Sequence, residues 1–204
     1  LFASLADIAP YHMILGNHDM NLKNSGRLDA ISPIVDNLQH PNLYFHKYSD
    51  VIEVADGIDL HVLSIVDPEN WQEKPPNDRV NIALYHGSVV GSVTDTGWMM
   101  THGDIDLGTL EKYDYGLLGD IHKTNQKVDN DGRARYPGSL VQQNHGETND
   151  KGYLIWDIED KNTWSTRHVS LVNPKPFITI ELTRKGRMPK NVSVPIGSRL
   201  RLVS

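Results

Sequence analysis

The sequence is read as a layered α/β domain rich in strands and with few long helical patterns, and three observations frame that reading. Short apolar, strand-like runs alternate with polar turns through most of the chain. Three of these runs end in a glycine beside histidine or aspartate, as strand ends do along one edge of a layered sheet. Beyond Asn173-Pro174-Lys175-Pro176 the texture changes to short basic strands, which puts a domain boundary at 174/175.

Taken in order, "LFASLADIAP" reads as the second half of a helix, so the chain is expected to start inside a longer protein. "YHMIL" (11–15) is strand-like, and "RLDAISPIVDNLQ" (27–39) reads as a helix interrupted by Pro33. Residues 43–66 read as two or three strands with a hairpin turn at Asp56-Gly57, and 67–78 as a loop. "RVNIALYHG" (79–87) is a buried-type strand, and "YDYGLLGDIHK" (113–123) repeats its design. A hairpin turning at Asp131-Gly132, the alternating strand "GYLIWDIED", and the basic strands "ITIELT" and "SRLRLVS" complete the chain.

The 204 residues are enough for a real core, and their apolar and charged fractions, 38% and 23%, are those of a globular protein. No apolar run approaches the ~18 residues of a bilayer span. The absence of cysteine excludes a disulfide scaffold and Cys-ligated zinc and fits a reducing cytoplasm. Net charge is −6 but unevenly spread: residues 175–204 hold seven Lys/Arg against one acid, a net +6 that leaves the other 174 at −12. Such an acidic body suits cations and such a tail suits phosphate backbones, although ordinary solvated surface has the same composition.

The strand ends carry the chemistry: Gly16-Asn17-His18-Asp19, His86-Gly87 and Gly119-Asp120-Ile121-His122. Imidazole, carboxylate and amide oxygen form a ligand set for Mn²⁺, Fe²⁺ or Zn²⁺. Each taken alone is ordinary loop chemistry. Together and in this order they resemble the second half of the calcineurin-like metallophosphoesterase pattern. "YGLLGDIHK", "YPGSLVQQNHGE" and "KGYLIWDI" narrow the resemblance to the SbcD-type nuclease subunit of DNA-repair nuclease–ATPase complexes, in its phage-encoded recombination endonuclease branch.

The resemblance implies a four-layer sandwich, two mixed β-sheets flanked by helices, over residues 1–174. The start of a basic, DNA-binding α+β cap would follow over 175–204. It implies a Mn²⁺-dependent (or Mg²⁺-dependent) two-metal DNA exonuclease and single-strand endonuclease, with two ions ~3.5–4 Å apart. Asn17, His86 and Asp120 would bind one metal and His122 the other. His18 would stand beside the scissile phosphate as acid, with Asp19 orienting its ring, and Ser139 would lie near the substrate phosphate or merely cap a Pro-Gly turn. Implied partners are DNA, a second nuclease subunit and an SbcC-type coiled-coil ATPase, in the cytoplasm, that of the host if phage-encoded.

The chain departs from the family in two ways. Asp120 stands where the family usually has His, tilting preference toward Mn²⁺ or Mg²⁺ or marking a weakened site. The family's Asp-x-His and Gly-Asp motifs would precede Leu1, so the fragment is expected to hold part of the metal shell and to be nearly inactive. Two alternatives stay open: a general phosphoesterase acting on small phosphoesters or phosphoproteins, and a decayed DNA-end-binding scaffold. Trp98-Met99-Met100 reads as core or packed loop ahead of a substrate or partner surface, His145 as a variable position, and His61 as structural.

Overall fold

The computed structural model describes residues 1–24, 26–74 and 77–204. Pro75 and Pro76 of the loop expected over 67–78 lie outside the described residues. The chain forms two compact units, the first made of Leu1–Gly91, Thr101–Asp120 and Lys127–Arg135, the second of Ser92–Met100, Ile121–Gln126 and Tyr136–Ser204. The boundary expected at 174/175 falls inside the second unit, where the Gln142 side chain bonds the Phe177 backbone in both directions.

In the first unit β1 (Tyr11–Ile14) pairs in parallel with β2 (Leu43–His46). A six-stranded sheet follows, built from β3 (Asp50–Ala55), β4 (Ile58–Leu63), β5 (Val80–His86), β6 (Tyr115–Gly119), β7 (Gln126–Lys127) and β8 (Ala134–Tyr136) in the order β3-β4-β5-β6-β8-β7. β3 and β4 form the hairpin expected at Asp56-Gly57; β4, β5, β6 and β8 run parallel. The inner strands are mostly apolar, as strands covered on both faces are. Leu60, Val62, Leu63, Val80, Ile82, Ala83, Tyr85, Tyr115 and Leu118 are buried, and full burial of an aliphatic side chain stabilises by roughly 1.5–3 kcal/mol. His61 is structural as expected: its Nε2 and the Asn81 Oδ1 lie 2.8 Å apart in the core.

The second unit holds β9 (Gly152–Ile158) antiparallel to β10 (Trp164–Ser170), and β11 (Phe177–Glu181) parallel to β12 (Arg199–Val203). Asp160 accepts from the Asn162 and Thr163 N–H groups to close the β9–β10 turn, and Trp156 stacks on Trp164 at 5.8 Å.

The expected helix-flanked α/β sandwich is overturned, and the fold is mostly β. Among the described residues the α-helices are three: α1 (Phe2–Ala6), α2 (Ser32–Leu38) and α3 (Leu107–Leu110). They bury Ala6, no residue, and Leu110 respectively. Helices this short depend on packing for their stability and cannot form a layer. Pro33 does not interrupt α2 but sits in its first turn, where the missing N–H costs nothing. Trp98 and Met99, read as core or packed loop, are 58% and 57% exposed.

Candidate metal centre

The corner after β1 is a closed turn. The Asp19 N–H donates to the Gly16 carbonyl at 3.1 Å, and Asp19 Oδ2 accepts the Gly16 N–H at 2.7 Å. This leaves Asn17 and His18 exposed at the apex. The Asp19 carboxylate is thus committed to the backbone of the turn, and among the described residues no hydrogen bond joins it to the His18 ring it was expected to orient. His18 instead opens, with Arg27, onto a depression of about 340 Å³. Asp29, which also lines it, is anchored by Lys47 at 2.8 Å and by Ser32. Burial raises the Asp29 pKa, but the hydrogen bonds from Lys47 and from Ser32 and Ile31 outweigh it and hold the group well below the carboxylate range.

β5 delivers His86 to the same place. A Cβ on Gly16 would lie 2.9 Å from the imidazole Cε1 and Nε2, and one on Gly119 would lie 2.8 Å from Nδ1, so the ring fits only because both neighbours lack a side chain. β6 ends at Gly119, and the next residue, Asp120, has a φ of 102°, unusual for any residue but glycine. Such strain persists only where surrounding structure enforces it, and it gathers at functional positions. Here it brings Asp120 Oδ1 within 3.7 Å of His86 Nε2 and 3.1 Å of Asn17 Nδ2. Asn17, His86 and Asp120 therefore meet at one point, from three strand ends far apart in sequence. Among the described residues no three His, Asp or Glu side chains cluster as a metal site; this group is two such residues and an amide. Here the Asn17 amide turns its nitrogen to Asp120; with its oxygen turned in instead, one imidazole, one carboxylate and one amide oxygen would be donors that fit Mn²⁺ or Mg²⁺ better than a thiophilic ion.

His122, the fourth expected ligand, belongs to the second unit and has its own partners there. Its Nδ1 lies 3.0 Å from Glu147 Oε1, while the side chain remains 42% exposed. Glu147 is buried. Burial raises its pKa, but His122, the Gln143 N–H and Lys151 outweigh this and lower it, keeping the group ionised. Lys151, 1% exposed, donates to the His122 carbonyl at 2.6 Å and to Asp95, and stands 3.5 Å from Glu147 Oε2. Glu147 and Lys151 were not singled out from the sequence, although Gly146-Glu147 closes the block that carried the resemblance. The Ser139 Oγ is buried and has no hydrogen-bond partner among the described residues, so it is not presented to solvent, while Ser139 N–H reaches the His122 carbonyl at 3.4 Å. His145 packs edge-on against Phe177.

No protein-family model matches the chain. It is similar to uncharacterized protein R555 of Acanthamoeba polyphaga mimivirus, with 33% identity over an alignment 213 positions long that covers 99% of this chain and 15% of that protein. The chain thus spans about 15% of the length of the curated relative it matches. Among the described residues no helix is long and apolar enough to cross a membrane.

Proposed function

We propose that this chain carries part of the active site of a metal-dependent DNA nuclease that hydrolyses phosphodiester bonds. The observation that carries the reading is the meeting of Asn17, His86 and Asp120 at one point, with His18 exposed beside it. Asn17, His86 and Asp120 would hold a divalent cation, Mn²⁺ or Mg²⁺. A bound cation supplies Lewis-acid stabilisation of phosphoryl charge and a more acidic water. His18, free of the turn's own hydrogen bonds, approaches the substrate and donates a proton to the leaving oxygen. Asp19 keeps the apex in shape through Gly16; by the motif resemblance alone, His122 would bind the other metal. The motif resemblance supports this reading at the level of the site, not of the fold.

DNA is favoured over a small ester by the tail. All seven Lys/Arg of residues 175–204 are exposed, against the single acid Glu181, as suits sequence-independent contact with a phosphate backbone. The cap role of 175–204, the second metal, a nuclease dimer, an SbcC-type ATPase partner and a cytoplasmic location belong to the same proposal. The test is full-length protein with Mn²⁺, offered linear DNA and a nitrophenyl phosphodiester. Hydrolysis of DNA is expected. Hydrolysis of the small ester alone would favour a general phosphoesterase, and DNA binding without uptake of micromolar Mn²⁺ would favour a scaffold with a decayed site.

A further inference from the structure

We propose that Glu147 is the positioning residue of His122: its carboxylate holds the neutral ring as the Nδ1–H tautomer and leaves the Nε2 lone pair free to bind a metal ion. The argument is an accounting of donors. Glu147 Oε1 accepts the Asn144 amide at 2.9 Å, and Oε2 accepts the Gln143 N–H at 3.0 Å and faces the Lys151 ammonium at 3.5 Å. Every one of these neighbours is a donor, so the carboxylate has no proton to give. The nitrogen that faces Oε1 at 3.0 Å, His122 Nδ1, must therefore carry the hydrogen.

A neutral imidazole protonated on Nδ1 has its lone pair on Nε2. This is the reverse of the tautomer that predominates for a free histidine side chain. The main chain is held as firmly as the ring. Lys151, whose ammonium donates to Asp95 and to the His122 carbonyl and pairs with Glu147 at 3.5 Å, holds the residue through its backbone. A carboxylate on the far nitrogen of a metal-binding histidine sets ring orientation and raises ligand basicity. The ligand role of Nε2 rests on the metal-centre reading above; the tautomer does not.

The experiment is long-range ¹H–¹⁵N correlation of the histidine rings in the ¹⁵N-labelled, metal-free chain, at a pH where the rings are neutral. His122 is expected to show a protonated Nδ1 and an unprotonated Nε2. A protonated Nε2 in the unaltered protein overturns the proposal. In Glu147→Ala the Nδ1–H form is expected to lose its dominance, with the Trp156 and Trp164 indole signals reporting that the second unit is still folded. An unchanged tautomer in that folded variant also overturns it. Should the variant not fold, the unaltered protein decides alone. Titration with Mn²⁺ separates the two readings: Glu147→Ala is expected to weaken binding roughly 10- to 100-fold. Full-length protein that shows the expected tautomer but takes up no Mn²⁺ would sink the metal-centre reading and leave the positioning of His122 standing.

Discussion

The two units prepare their imidazoles by opposite means. In the first, His86 is placed by backbone: Gly16 and Gly119 make room for the ring, and Asp120 is carried to it by a main chain with φ of 102°. In the second, His122 is placed by side chains, with Glu147 on its ring and Lys151 on its carbonyl, both buried. Backbone placement tolerates no added atoms but needs no buried charge. Side-chain placement tolerates shape changes but depends on every charge keeping its partner. Each mode has its own way to fail, and substitutions can tell them apart.

The largest effect is expected where neither mode is disturbed. His18 stands at an exposed apex, so His18→Ala removes an acid–base group without moving a ligand. Turnover of DNA by the full-length protein should fall by roughly 10²–10⁴ while Mn²⁺ content stays nearly constant. Loss of metal instead would make His18 a ligand. Next comes Lys151→Ala, which strands the Asp95 and Glu147 carboxylates in the interior. Breaking a buried ion pair in this way costs about 3–5 kcal/mol, and it should appear as a large drop in urea midpoint followed through the Trp156–Trp164 stack. A shift under 1 kcal/mol would mean the ammonium is not essential to that arrangement.

Gly16→Ala probes the backbone mode. The new methyl would lie 2.9 Å from the His86 ring, which must swing away from Asp120. Mn²⁺ affinity is expected to fall about 10- to 100-fold, the scale of losing a group that orients a ligand. Calorimetric titration checks this, and unchanged affinity would show that His86 does not bind the ion. A milder loss from Gly16→Ala than from Glu147→Ala would rank side-chain placement above backbone placement.

How much of this was legible in sequence depended on distance along the chain. The strand ends were, because glycine beside His, Asn or Asp at the close of an apolar run is a local pattern, and β1, β5 and β6 stop where it says. The role of Glu147 was not, because it is 25 residues from His122 and a buried carboxylate reads like any exposed one until its donors are counted. The helical layers were expected from resemblance and not from periodicity; the chain lacks long amphipathic runs, and α2 buries nothing. Trp98 and Met99 were misread because an apolar triplet gives no sign of which way its loop faces.

The smallest expected effect concerns the strand pair that leads into the apex. His12 and His46 face each other across β1 and β2, with Nδ1 and Nε2 2.9 Å apart and rings stacked at 5.2 Å. Burial lowers the pKa of both, and His12 lowers His46 further while Asp50 opposes. One imidazole can donate to the other only while the pair carries at most one positive charge. A histidine whose folded pKa is depressed makes the folded state bind fewer protons than the unfolded chain. Its contribution to stability is therefore whole above the unfolded value of about 6.5 and is lost as pH falls below it. The urea midpoint should decline between pH 7 and pH 5.5, and His46→Gln should flatten that slope. A slope unchanged in the variant would place the acid sensitivity elsewhere. Because β1 runs directly into Gly16, a fall in Mn²⁺ affinity that tracks this transition in the unaltered protein, but not in His46→Gln, would tie the backbone mode of placement to the state of this pair.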